Sequence, residues 1–230
     1  VTSSASRLAP GAPPLYALTD RTLGALLRTV WRPTVTGLEH LPAGGAILCP
    51  NHLSVGDQLF LAICIPRHIT FWAKAEYFRA TGLRGALTRR VVTGMGAIPV
   101  ERGGGRAVLS AFDAAVPLLR GGSLVAVFPE GTRSPDGRLY RGRTGAVRLA
   151  AQAGVPVVPV GITGTGDATA RDILAPSRRP VTITVGPALP GAATADDPVT
   201  VRAVTDELLA AIQSLTHQEY VPTYAPPRAP

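Results

Sequence analysis

Asn51-His52-Leu53-Ser54-Val55-Gly56-Asp57 sets an imidazole and a carboxylate five positions apart, directly after the apolar run Ala46 to Cys49. Histidine is the side chain whose ordinary pKa lets it take up and return a proton near neutrality, and a carboxylate on one ring nitrogen leaves the other free to do so. The spacing restricts how the two can meet. On one regular helix, residues five apart lie about 140° apart around the axis and face different ways. A meeting therefore needs His52 in a turn and Asp57 on the first turn of the helix that follows. The local sequence supplies both, because Pro50 ends a strand, Ser54 suits an N-cap, and Asp57 at the third helical position suits the positive end of the helix dipole. This segment alone fits either a general base with its orienting acid or a capping Asp beside a solvated His.

Further segments carry groups that can hold an anion. Phe128-Pro129-Glu130-Gly131-Thr132-Arg133-Ser134 follows the strand Ser123 to Val127, and strand ends are where α/β proteins place ligands. Gly131 permits close approach, Thr132 offers a hydroxyl, and Arg133 supplies a planar fork suited to phosphate. Glu130 needs a partner in such a basic setting, either a substrate hydroxyl or an Arg. Gly96-Ala97-Ile98-Pro99-Val100-Glu101-Arg102 is a strand that runs into Gly103-Gly104-Gly105, placing Arg102 at a strand end beside open backbone. Val155-Pro156-Val157-Val158-Pro159-Val160 is apolar, and its prolines predict a sheet edge or an apolar wall. Arg138 to Arg148 holds four Arg and no acid, a solvated face or an approach surface for anions.

Short apolar runs alternating with helical patterns must position these residues. Strands are expected over 33–37, 45–49, 68–73, 96–100, 123–128, 156–162 and 181–185, and helices over 55–64, 83–91, 105–119, 144–153 and 199–216. That order predicts a single α/β domain with a mixed, largely parallel sheet flanked by helices. Before it, Leu23, Leu26, Leu27, Val30 and Trp31 fall on one face of an amphipathic helix over 18–32, with Arg21, Arg28 and Arg32 elsewhere on the turn. Such a helix either packs on its own domain or lies in a lipid headgroup layer. The expected division is a flexible start with the amphipathic helix (1–32), the α/β domain (33–217) and a Pro-rich tail (218–230), the termini carrying no chemistry.

Composition narrows the partners. The formal charge is +8, with 23 basic residues of which Lys74 is the single lysine, and this points to an anionic partner. The 5% of aromatic residues are not grouped in a basic stripe, which argues against nucleic acid. No run approaches the roughly 18 apolar residues of a membrane span, and the first residues lack a signal-peptide pattern. The opening Val is read as a processed start, with room for an upstream segment. Cys49 and Cys64 stand in apolar surroundings without metal-ligand spacing, so buried reduced thiols are expected and no metal or other cofactor.

Taken together, His-x4-Asp, Gly-Ala-Ile-Pro-Val-x-Arg, Phe-Pro-Glu-Gly-Thr-Arg-Ser and Val-Pro-Val-Val-Pro-Val, in this order, resemble the 1-acylglycerol-3-phosphate acyltransferase family of glycerolipid acyltransferases. The similarity spans roughly residues 33–185. It implies transfer of a fatty acyl group from acyl-CoA or acyl carrier protein to the hydroxyl of lysophosphatidate, with His52 and Asp57 as the catalytic pair. It further implies Lys74, Arg102, Glu130, Gly131, Thr132 and Arg133 as contacts to the acceptor phosphate and glycerol. Where family members often carry Lys-Lys or Phe-Lys after the third block, this chain has Tyr140-Arg141-Gly142-Arg143. The resemblance also implies an anionic membrane surface as partner and a peripheral or monotopic place at the cytoplasmic face of the cell membrane. It sets no oligomeric state. Other acceptors, such as glycerol 3-phosphate or another lysophospholipid, and a non-catalytic basic binding module, are the alternative readings.

Overall fold

Every residue of Ala46–Pro50 is buried. A strand reads this way when both faces of its sheet are covered, since successive side chains point to opposite sides and each side must then meet a packed layer. A computed structural model describes residues 11–101, 104–166 and 180–226, so Arg102 and Gly103 lie outside the described residues. In chain order, α1 (Pro14–Thr19) runs through a π turn (Asp20–Gly24) into α2 (Ala25–Trp31). There follow β1 (Thr34–Thr36), a 3-10 turn (Leu38–His40), β2 (Ala46–Pro50), α3 (Gly56–Cys64), β3 (Ile69–Thr70) and β4 (Trp72–Lys74). Next come α4 (Ala75–Arg79), α5 (Gly82–Gly94), β5 (Ile98–Val100), α6 (Gly104–Arg120), β6 (Leu124–Ala126) and β7 (Leu139–Tyr140). The remainder is α7 (Gly145–Ala153), β8 (Val157–Thr163), β9 (Thr182–Val185), a 3-10 turn (Pro190–Thr194), α8 (Pro198–Thr216) and β10 (Tyr220–Val221).

The main sheet has the order β1-β9-β8-β2-β6-β3. Strands β8, β2, β6 and β3 are parallel, β9 is antiparallel to β8, and β1 is parallel to β9. This is the mixed, largely parallel sheet that the alternation of elements predicts. Ile47, Cys49, Val125 and Val157 face one core layer with Leu149 of α7 and Leu208 of α8. Ala46, Leu48, Ala126 and Val158 face the other, with Leu27 and Trp31 of α2 and Phe60 and Leu61 of α3. The period of two along β2 thus divides one short strand between two layers of helices.

Several expectations change. Pro159 sits in β8, an interior strand between β2 and β9, not at an edge. The missing N–H is tolerated because the Pro159 carbonyl accepts from Gly186 N at 2.9 Å, so this residue's polar groups face the side where β9 has ended at Val185. Residues 68–73 do not form one strand: β3 joins the main sheet, and β4 pairs in parallel with β5 as a separate ribbon, Lys74 opposite Val100. The start of the tail is tied down. β10 pairs with β7, and Gln218 accepts from Asn51 Nδ2 at 2.9 Å, because the buried Asn51 amide needs partners.

The N-terminal helix packs on the domain through one face. Trp31 meets Phe60 edge-on at 5.0 Å, Tyr16 donates its hydroxyl to Ala62 O, and Arg28 bridges Asp20 and the carbonyl of Ile63. Leu18, Leu23 and Leu26 on the other face remain exposed. Among the described residues, no helix is long and apolar enough to cross a membrane.

Candidate active site

β2 ends at Pro50, and the chain turns through Asn51 and His52 before α3 begins at Gly56. The helix starts one residue later than Ser54 as N-cap would place it, so Asp57 is the second helical residue. Ser54 still acts at this end, its hydroxyl accepting from Gly56 N at 3.0 Å. His52 Nδ1 lies 2.8 Å from Asp57 Oδ2. The same oxygen accepts from Leu53 N at 2.6 Å and Ser54 N at 2.9 Å, and Asp57 is completely buried. A carboxylate oxygen that already accepts two N–H groups meets the ring as an acceptor, which puts the proton on Nδ1 and leaves Nε2 open. The imidazole is 15% exposed and stacks on Phe128, ring centroids 3.9 Å apart. One nitrogen is thus held and the ring face is fixed.

The second oxygen of Asp57 is filled from elsewhere in the chain. Thr165, fully buried just beyond β8, donates its hydroxyl to Oδ1 at 2.6 Å, and Ser54 Oγ lies at 3.4 Å. Asn51 ties the same two strand ends together, its amide exchanging hydrogen bonds with Ile162 N at 2.7 Å and Ile162 O at 2.9 Å. Neither residue stands out in the sequence. Thr165 lies 108 positions from Asp57, and a threonine after an apolar run has no signature of its own.

The loop after β6 locks onto His52. Ser134 N donates to His52 O at 2.7 Å, while Glu130 accepts from His52 N at 3.1 Å through one oxygen and from Tyr140 N at 2.9 Å through the other. Glu130 is 1% exposed. Both oxygens are met by backbone donors, as a buried carboxylate requires. Burial pushes its carboxyl up to about 7, against the pull of the two N–H donors, with the Asp57 and Asp136 charges adding to the rise.

Gly131 has φ +75°, and a side chain there would lie 2.9 Å from Arg143 Cδ and Nε. The glycine serves both the turn and the approach of Arg143, which is anchored by its own N–H to Pro129 O at 2.7 Å. Thr132 and Arg133 are partly exposed on this loop. Among the described residues Arg133 has no hydrogen-bond or ion-pair partner, and Arg143 lies over the Tyr224 ring at 5.1 Å. Lys74 ends β4, its Nζ 5.8 Å from the Tyr77 ring centre. Arg102 lies outside the described residues. Cys49 and Cys64 are buried thiols, as expected, and burial pushes the Cys64 thiol up to about 12. Among the described residues no three His, Cys, Asp or Glu side chains group as metal ligands.

A held imidazole stands at the carboxyl ends of parallel strands, with Arg133 unpaired among the described residues on the neighbouring loop. The profile of the acyltransferase family matches residues 32–163. The chain belongs to the acyltransferase family. Among its relatives, a chloroplastic 1-acyl-sn-glycerol-3-phosphate acyltransferase of Brassica napus is 33% identical over 138 residues, 59% of this chain and 38% of that protein. A protein of the same description from Borreliella burgdorferi is 28% identical over 154 residues, 66% of this chain and 60% of the relative. The chain therefore spans about two fifths to three fifths of the length of these relatives. The crystal structure of the 1-acyl-sn-glycerophosphate acyltransferase PlsC from Thermotoga maritima superposes with a TM-score of 0.61 at 24% identity, covering 87% of this chain and 79% of that one. It shares the acyltransferase fold described above.

Two predictions concern the buried carboxylates of this family member. Thr165→Val strips the best donor from Asp57 Oδ1 and should lower unfolding free energy by about 1.5–3 kcal/mol, with Thr165→Ser restoring most of it in urea titrations. Equal stability of the Val and Ser proteins would dismiss the hydroxyl. Glu130 titrates near 4.5 in the unfolded chain and at about 7 in the fold, so between these values the folded state holds the extra proton. Its contribution is complete below pH 4.5 and is lost as pH rises through 7, by up to ~3 kcal/mol. Glu130→Gln has no such titration, so the stability of the parent relative to this variant should fall between pH 4.5 and 8. A difference independent of pH would mean that Glu130 is not the titrating group.

Proposed function

We propose that this acyltransferase moves a fatty acyl group from acyl-CoA or acyl carrier protein to the free hydroxyl of lysophosphatidate, with His52 as general base. The observation that carries the reading is the 2.8 Å contact from His52 Nδ1 to the buried Asp57, which leaves Nε2 free. A thioester is already activated and its thiolate leaves readily, so the chief demand is removal of one proton. The acceptor hydroxyl gives its proton to His52 Nε2 as its oxygen attacks the thioester carbonyl. The C–S bond then breaks, and the proton passes to the departing thiolate. Asp57 holds the ring and stabilises its charged form through this exchange, as an orienting carboxylate does.

Several features support direct transfer over an acyl-enzyme. Cys49 is completely buried and its thiol is pushed well above its ordinary range by burial. The hydroxyl of Ser54 is occupied with Gly56 N and Asp57, and Ser54 is 5% exposed. The acceptor phosphate is assigned to Arg133 and Thr132, with Arg143 beside them across Gly131. Lys74, at the end of β4, is assigned to the same proposed basic rim, and Arg102, outside the described residues, is assigned to it from the sequence blocks alone. Phosphate held here would fix the glycerol hydroxyl toward Nε2, so that binding energy is spent on orientation. The names of the relatives support lysophosphatidate as acceptor. The outward Leu18, Leu23 and Leu26 support a peripheral place on a membrane that supplies both lipids.

With long-chain acyl-CoA and lysophosphatidate, thiol release should be measurable with a colorimetric disulfide reagent. His52→Ala should reduce it by roughly 10²–10⁴-fold without loss of circular dichroism. An unchanged rate would remove His52 from the chemistry. Arg133→Ala should raise the KM for lysophosphatidate about tenfold, the loss of roughly one charge-assisted hydrogen bond, and leave that for a neutral monoacylglycerol nearly unchanged. Equal effects on the two acceptors would contradict the phosphate assignment.

A further inference from the structure

α5 shows an apolar stripe to solvent. Leu83, Leu87 and Val91 are 94%, 66% and 44% exposed, and their i, i+4, i+8 spacing sets them along one side of the helix. Its inner side turns on Gly85, buried against Ala80, while Gly94, at the last turn and on the side of the stripe, abuts Leu15 of α1. Small residues thus serve for packing, while the largest aliphatic side chains point away from the domain, the reverse of an ordinary surface helix. A single exposed leucine needs no explanation, but an aligned series marks a surface that is covered in use.

The charges beside the stripe say what covers it. Arg84 and Arg90 flank the leucines around the helix, Arg89 lies further round, and all three are exposed. From Ala80 to Val100 the chain contains these three Arg and no Asp or Glu. Among the described residues none of the three is in an ion pair. Aliphatic side chains bordered by arginines that reach outward fit the boundary between acyl chains and anionic headgroups, where the leucines enter the apolar layer and the guanidinium groups meet phosphate. α4 and α5 together link β4, which ends at Lys74, to β5.

We propose that the outer face of α5 docks on an anionic lipid bilayer, with Leu83, Leu87 and Val91 in the acyl boundary and Arg84, Arg89 and Arg90 at the headgroup phosphates. This surface is distinct from the amphipathic face of the N-terminal helix. It does not rest on the acyl-transfer reading, because binding is read without turnover.

The test is co-sedimentation of the whole chain with vesicles of phosphatidylcholine alone or with 30% phosphatidylglycerol. The parent protein should prefer the anionic vesicles and lose that preference in 0.5 M NaCl. Leu83→Ser/Leu87→Ser should weaken partitioning to the anionic vesicles at least tenfold. Arg84→Gln/Arg90→Gln should abolish the preference for phosphatidylglycerol, and both variants should retain the parent circular dichroism and unfolding midpoint. Unchanged partitioning of the Ser variant overturns the proposal. So does a parent that sediments as a dimer without lipid while the Ser variant is a monomer, because the stripe would then be an interface between copies. Loss of thiol release in the His52→Ala protein with vesicle binding intact separates this surface from the chemistry.

Discussion

A fully buried carboxylate organises this molecule. An ion removed from water costs several kcal/mol unless its lone pairs are met, so Asp57 requires donors from every direction around it. It obtains them from His52, Leu53 and Ser54 on the turn after β2 and from Thr165 beyond β8. Satisfying one side chain therefore fixes the turn, the start of α3 and the end of a neighbouring strand together. The same contacts aim the imidazole. Stability and orientation are one requirement here, which is why an imidazole can stand on a turn and still have a fixed direction.

Glu130 repeats the device one strand away. It joins the backbone of His52 to that of Tyr140, so the loop after β6 and the β7 ribbon become part of the same framework. Because β8, β2, β6 and β3 run in parallel, their carboxyl ends open on one side of the sheet, and each delivers a loop there. The backbone donors that those loops would otherwise leave unpaired are taken up by the two carboxylates. The polar ends of a largely apolar sheet are thereby closed internally, while Nε2 of His52 and the guanidinium of Arg133 have no partner among the described residues.

The sequence carried the fold class because β-strand and helix periods are local, and the strands after residues 33, 45, 123, 156 and 181 all occur. It also carried the His52 and Asp57 pairing, since five residues across a turn is a short-range relation. Long-range partners were illegible: Thr165 and Asn51 act across more than a hundred residues through a single hydroxyl and a single amide. The donors of Glu130 were illegible too, because a carboxylate beside Arg133 reads as an ion-pair or ligand group, whereas the donors it has in the fold are backbone N–H groups, which leave no mark in a sequence. Of the two readings of Val155 to Val160, a sheet edge or an apolar wall, the buried β8 matches the wall, and the edge came from a rule that holds for a strand paired at every position. It fails where the neighbouring strand stops one residue short.

Net charge is a poor guide to where an anion is held; the distribution of acids is a better one. Arg28, Arg79, Arg138 and Arg202 each stand beside a carboxylate, respectively Asp20, Glu101, Asp136 and Asp206, and are neutralised locally. The two carboxylates that hold the turn of His52, Asp57 and Glu130, are both turned inward to hydroxyl, ring and backbone donors. Neither can compensate Arg133 or Arg143, although both lie within the same framework. The burial that makes these carboxylates structural thus also leaves the cations of the loop free of an internal counter-ion. A phosphate-bearing ligand would then supply the missing negative charge, and the positive field at the sheet's end would follow from satisfying the two buried acids from within.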